Sequence, residues 1–224
     1  MRYLILLITF MSTLVTNAQD VIKLPDPFVG SSKYDLSLMG ALSSRSSNRE
    51  FGDEEINNQE LSTLLWCATG VNREDVNKLT APSAINAQDI MVYVCSVKGA
   101  YLYDPFKNEL KKITEEDLRV SIAGRQKGME KAPVSLVLVS DQAKFGGGST
   151  NGAMLSGAMD AGYVSQNIYL ACAAMGLNTV ARATMDKEAL QKSLKLTEQQ
   201  VLLLNHPIGH KPFKLQQADG NVAK

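Results

Sequence analysis

Residues 43–52 read SSRSSNREFG, so that Arg45 and Arg49 enclose Ser46 and Ser47 within five positions. Two cations and two hydroxyls over so short a stretch match the donors an anion requires. Guanidinium groups give charge-assisted, often bidentate hydrogen bonds to phosphate or carboxylate. The competing reading is a solvated loop. A second stretch, TAPSAINAQDI at residues 80–90, places Pro82, Ser83 and Asn86 directly before an apolar run. The proline sets a turn, the small residues let backbone approach a planar ligand, and the Asn amide can both donate and accept. Taken alone, this segment too reads as an ordinary loop.

Other routes to chemistry are closed by what the chain lacks. It contains no G-x-S-x-G, no H-E-x-x-H and no G-x-G-x-x-G after a strand. The run Gly146-Gly147-Gly148-Ser149 has no following Lys-Ser/Thr, so it reads as part of a loop over residues 141–154 rather than as a phosphate cradle. Cys67, Cys95 and Cys172 sit in LLWCAT, VYVCSV and LACAAM; an odd number among apolar neighbours is expected to be buried free thiols, not a disulfide framework. His206 and His210 are too few to found a metal site. No side chain is expected to be catalytic by itself and no metal is expected, which assigns the chemistry to an organic cofactor.

The elements that must position these residues follow from composition and periodicity. Lys plus Arg and Asp plus Glu both number 23, so an anion site must be local, and a nucleic-acid surface is not expected. A length of 224 residues suits one domain with a substantial core. The start, MRYLILLITFMSTLVTNAQD, has a basic Arg2, an apolar run from Tyr3 to Val15 and small residues before Ala18. It reads as a signal peptide over residues 1–18 cleaved after Ala18, giving an exported, periplasmic protein without a stable membrane anchor. Residues 19–42 are then an N-terminal extension to a domain over 43–224.

Along that domain, NNQELSTLLWCATG predicts a helix with Leu61, Leu64, Leu65 and Ala68 on one face, an Asn57–Glu60 capping box and a stop at Gly70. A strand from about Ile90 to Val97, a turn at Lys98-Gly99 and another over 104–108 predict a meander. Thr114 and Asp117 suggest the cap of a helix reaching about Lys127. PVSLVLVSD is expected to be a strand covered on both faces. A long helix over about 156–176 carries the stripe Ala161, Val164, Ile168, Ala171, Cys172 and Met175. A short strand NTVAR, a helix over about 187–194 and the strand VLLLNHPIG complete an α+β arrangement, a sheet with helices packed on it.

Together, R-x-S-x-R, LLWCATGVNR, PSAINAQ, DAGYVSQNIYLACAAMGL and NHPIGHKP resemble, in this order from Ser43 to Pro212, the FMN-dependent nitroreductase family. Within it the likeness is to the thiazoline/oxazoline dehydrogenases, the SagB/ThcOx group. The resemblance implies a nitroreductase-like mixed sheet covered by helices, FMN as cofactor and a homodimer with the flavin at the interface. It implies that Arg45, Ser47 and Arg49 contact FMN, and that Ser46 stands where the family often has a second arginine. Pro82, Ser83 and Asn86 would approach from the partner subunit. The backbone of Ala181, Arg182 and Ala183 would face the ring near N5, and Lys211 would supply the late basic residue. The activity implied is two-step electron transfer through flavin N5, from NAD(P)H or another donor to a small-molecule acceptor. Alternatives are an azoline dehydrogenase-like enzyme and a non-catalytic flavin-binding protein.

Overall fold

The computed structural model describes residues 21–30, 32–34, 36–147 and 150–213. The expected leader over residues 1–18 lies outside them. In chain order the elements are β1 (Val21–Lys23), α1 (Leu38–Ser44), α2 (Asn58–Thr69), β2 (Val71–Arg73), β3 (Lys78–Leu79), β4 (Ile90–Ser96), β5 (Gly99–Asp104) and β6 (Glu109–Thr114). There follow α3 (Arg119–Ala123), β7 (Val134–Asp141), α4 (Asn151–Met175), β8 (Leu177–Thr179), α5 (Lys187–Ser193) and β9 (Gln200–His210).

Seven strands form one sheet in the order β1-β6-β5-β4-β7-β9-β8, and β2 pairs with β3 beside it. This is the expected α+β sheet under helices; every pairing among the described strands is antiparallel, which refines the mixed sheet of the expectation. Side-chain alternation along the central strands divides two cores. Val92, Val94, Leu136 and Leu138 pack under Leu64, Leu65, Val164 and Ile168 of α2 and α4. Tyr93, Cys95, Val137 and Val139 pack under Leu118, Ile122, Leu190 and Leu194, around α3 and α5. The centre of β7, residues 136–139, is apolar on both faces because helices cover both.

Local signals explain most boundaries. The Asn57 side chain accepts from the amides of Gln59 and Glu60 while Glu60 accepts from the Asn57 amide, the reciprocal cap that starts α2. Thr150 caps α4, which begins earlier than its apolar stripe suggested, and Gly176 at φ 70 ends it in the left-handed conformation a Cβ disfavours. The expected cap of α3 does not form. Thr114 ends β6, Asp117 turns its carboxylate to Arg119, and Leu118 occupies the cap position without a side-chain bond, so α3 is only 5 residues long. The tight turn after β4 falls on residues 97–98, one residue earlier than expected, with Gly99 at φ 120 opening β5.

α4 lies unusually close to the sheet at Gly157, where a Cβ would run into the Ser140 side chain on β7. Farther along, His206 of β9 is fully buried. The Thr179 hydroxyl donates to Pro207 O (3.0 Å), so it accepts from Nδ1–H of His206 (3.1 Å); Nε2 therefore accepts from the Ser165 hydroxyl (2.8 Å). Burial pushes this imidazole down to about 3. The three cysteines are free, with Cys95 and Cys172 buried and Cys67 partly so, and burial raises each thiol, Cys67 to about 11.

Two outcomes follow. Because the folded-state pKa of His206 is depressed, its contribution to stability is complete above about 6.5 and is lost as pH falls towards about 3. Melting curves of wild type and His206→Gln should therefore converge with acidification over that window; parallel curves would refute the buried neutral imidazole. Native protein should also resist thiol alkylation until denaturant is added, since raised thiol pKa values leave little thiolate at neutral pH. Rapid native labelling of any of the three cysteines would contradict their placement.

Candidate functional site

The arginine loop leaves α1 at Arg45, whose amide still bonds Ala41 O (2.9 Å). From there the chain runs along the end of the sheet. Asn48 N donates to Thr179 O (2.9 Å), Asn178 Nδ2 to Glu50 O (2.8 Å), and Gly52 N to His210 O (2.8 Å). These bonds seat the loop on β8 and on the end of β9. Tyr169 of α4 holds it from the other side. The Arg45 guanidinium lies 5.2 Å from the Tyr169 ring centroid, and the Ser47 hydroxyl is 2.8 Å from the Tyr169 hydroxyl. Ser46 and Lys211 line one polar cleft of about 90 Å³ together with Ser44, Asn48 and Tyr169. Thus Arg45, Ser46, Ser47 and Lys211, which the sequence separates by more than 160 positions, gather around Tyr169.

Tyr169 also reaches the third expected segment: Ala181 N donates to its hydroxyl (2.8 Å). Arg182 is buried rather than a surface arginine. Its guanidinium donates to Ile122 O (3.1 Å), Ala123 O (2.7 Å), Gln126 Oε1 (2.7 Å) and Asn205 Oδ1 (2.8 Å). Its side chain therefore secures the carbonyl end of α3, and its backbone is paired in both directions with Asn205. Burial lowers its pKa, and nearby Arg49 lowers it further, which places the two cations within electrostatic reach. Next to it Ala183 is exposed and borders a groove of about 630 Å³ with Gly124, Arg125 and Thr184. What residues 181–183 can offer a ligand is backbone at Ala183, not the Arg182 guanidinium.

Pro82, Ser83 and Asn86 stand apart from this cluster. Pro82 and Ser83 line a different, small cleft with Thr69 and Val164. Their turn is strained: Ile85 (φ 49), Asn86 (φ 58) and Gln88 (φ 50) all lie in the left-handed region, and Ile85 is 82% exposed. A β-branched residue there is an outlier, at a cost of about 1–3 kcal/mol. Several bonds hold it. Ala84 N donates to both carboxylate oxygens of Asp160 (3.1 and 2.9 Å), Gln88 N to Ser83 Oγ (2.8 Å), and Lys144 Nζ to Gln88 O (2.7 Å). Asp160 is itself buried against Asp89, which accepts from Ser140. Burial, opposed by the Ser140 bond and reinforced by Asp160, raises Asp89 to about 6. The anchors of the two segments, Asp160 and Tyr169, are nine residues apart on α4, or about 13 Å along its axis.

Tyr169, Asp89, Asp160 and Ser140 were not singled out by the sequence. For Asp160 a signal existed: with Val164 and Ile168 it falls at i, i+4, i+8 on the apolar face, and a carboxylate there must find a buried partner. For Tyr169 no comparable signal exists, because its partners come from remote segments. The second half of the glycine run, residues 148 and 149, lies outside the described residues. No cluster of metal-ligating side chains occurs among the described residues.

Known proteins share this fold. The sequence pattern described as the Nitroreductase family matches residues 42–210. A candidate nitroreductase of Methanocaldococcus jannaschii is 28% identical over 187 residues, covering 79% of this chain and 92% of its own. The crystal structure of a candidate nitroreductase from Ralstonia eutropha JMP134 superposes with a TM-score of 0.79 at 36% identity, covering 85% of this chain and 89% of that one. An NADPH:FMN oxidoreductase from Vibrio harveyi shares the fold at 20% identity, with a TM-score of 0.59 over 77% of this chain and 68% of its own. With three quarters of its length inside the family pattern and a fold that superposes on that of a similar chain, this chain belongs to the nitroreductase family of oxidoreductases.

Proposed function

We propose that the protein is an exported, FMN-dependent oxidoreductase that works in two half-reactions, taking electrons from NAD(P)H or another donor and passing them to a small-molecule acceptor. The observation that carries this reading is the convergence of Arg45, Ser46, Ser47, Lys211 and the Ala181 amide around Tyr169. The donor set suits FMN: guanidinium, hydroxyl and ammonium groups for a phosphate, and an exposed backbone position at Ala183 for the edge of a planar ring. When bound, the flavin supplies hydride transfer at N5. The protein's own residues bind and orient it. Arg45, Ser46, Ser47 and Lys211 would hold the phosphate end, and Arg49 would supply a cation for negative charge on the reduced ring. Arg182 keeps the 181–183 segment in place from beneath.

Pro82, Ser83 and Asn86 fit this reading as the contribution of a second copy. Within one chain their anchor lies about 13 Å along α4 from that of the arginine loop. An exposed apolar stripe, Leu155 (62%), Met159 and Tyr163, follows i, i+4, i+8 along α4, and α1 exposes Leu38, Met39 (73%) and Leu42. Such a stripe suits a dimer interface, and a ring with two apolar faces needs two walls. The narrower placement among thiazoline/oxazoline dehydrogenases of the SagB/ThcOx type is the alternative within the enzymes, supported by the five ordered segments. A flavin-binding protein without turnover is the alternative outside them, supported by Ser46 in place of an arginine. Export rests on the leader-like residues 1–18.

Purified protein should bind FMN in preference to riboflavin, and its spectrum should bleach anaerobically with a competent donor. Arg45→Ala and Arg49→Ala should each weaken FMN binding by about 10- to 150-fold, the equivalent of about 1.5–3 kcal/mol for a charge-assisted hydrogen bond. Unchanged affinity in both variants, measured by flavin fluorescence, would remove the site. Sedimentation over a range of concentrations should show a dimer that FMN strengthens, because a ligand bound by both copies favours their association. A monomer retaining full flavin at high dilution would defeat the shared site.

A further inference from the structure

We propose that Tyr169 is the positioning residue of the phosphate end of this site, its ring holding Arg45 and its hydroxyl fixing Ser47 to the 181–183 segment; the proposal rests on the flavin reading given above. Three contacts from two remote segments meet on this one side chain. Arg45 Cζ lies 5.2 Å from the ring centroid, within the range where a guanidinium is attracted to an aromatic face. Ala181 N–H donates to the hydroxyl (2.8 Å), which leaves the tyrosine proton available to the Ser47 hydroxyl, also at 2.8 Å. Ser47 and Ala181 do not bond each other; the phenol oxygen links them.

The ring is itself held. His206 packs edge-on against it, with centroids 5.3 Å apart and planes at 80°. Both ring nitrogens of His206 are bonded, to Ser165 on α4 and Thr179 on β8, so the imidazole cannot rotate without losing a buried hydrogen bond. The same Thr179 accepts Asn48 N–H through its carbonyl (2.9 Å), which binds the loop to the strand that orients the histidine. Tyr169 also lines the cleft shared by Ser46 and Lys211. A residue so placed fixes the Arg45 guanidinium and the Ser47 hydroxyl beside the cleft that Ser46 and Lys211 line. Its effect falls on the phosphate rather than on the ring.

The test compares wild type, Tyr169→Phe and Tyr169→Leu in the full mature chain, titrated separately with FMN and with riboflavin, alongside melting temperature. Phenylalanine keeps the ring under Arg45 and removes the link to Ser47 and Ala181; leucine removes both. The preference for FMN over riboflavin should fall by roughly tenfold in Tyr169→Leu, within the range of a lost cation–π contact, and be partly restored in Tyr169→Phe. Equal losses for the two flavins, or no loss, would overturn the proposal, since a residue that only supports the fold has no reason to discriminate a phosphate. A second readout is independent of flavin. Trypsin should cut after Arg45 faster in the flavin-free variants than in flavin-free wild type, at melting temperatures that leave all three folded. Equal cutting rates would overturn the clamp. If wild type bound neither flavin, the proposed function would fail and the trypsin comparison would decide the role of Tyr169 by itself.

Discussion

The seating of α4 on the sheet is the constraint on which both candidate binding segments depend. At Gly157 the helix approaches β7 closely enough to exclude a side chain. That approach buries Asp160 against Asp89 near Ser140, and farther along the same helix it buries Ser165 against His206. Polar groups removed from water are costly unless bonded, so these contacts fix the helix in rotation and in height as apolar packing alone would not. Asp160 then carries the Pro82–Asn86 turn, and Tyr169, nine residues on, carries the Arg45–Arg49 loop.

Strain and buried charge are concentrated around those anchors. The turn puts Ile85 at a left-handed backbone angle that a β-branched residue disfavours, and it persists because Asp160, Ser83 and Lys144 hold its amides and carbonyls. Arg182 illustrates the same division of labour. Its four bonds to α3 and Asn205 keep a cation buried and satisfied, which stiffens the segment bearing Ala183 while Arg45 and Arg49 stay available nearby.

On the proposed flavin reading, recognition would be distributed over three levels. The cations sit at the end of the sheet, the backbone edge at residues 181–183, and the strained turn lies farther along α4. The first two are joined by Tyr169. The third faces outward beside the apolar stripe of α1 and α4, where a second copy would complete the enclosure of a planar ligand.

Much of this was decided locally and could be read from the chain. The capping box at Asn57 and Glu60, the stop at Gly176, the apolar runs of β4 and β7, and the apolar stripe of α4 are set by neighbours within a few residues. So was the gathering of cations at 45–49, because types and spacing there needed no partner. The short α3, by contrast, depended on which group Asp117 would bond, and Arg119 won. Arg182 could not be distinguished from a surface arginine until α3 presented its carbonyls, 59 and 60 residues earlier in sequence, to its guanidinium. Tyr169 acquired its role in the same way: Ser47 lies 122 residues from it and Ala181 12 residues away in the segment after β8, so only the folded sheet could bring all three within hydrogen-bonding distance. The sequence determined the elements and the donor types, whose causes are local; the tertiary structure decided which donors face a ligand and which are spent inside, because that depends on contacts between segments that no short-range pattern encodes.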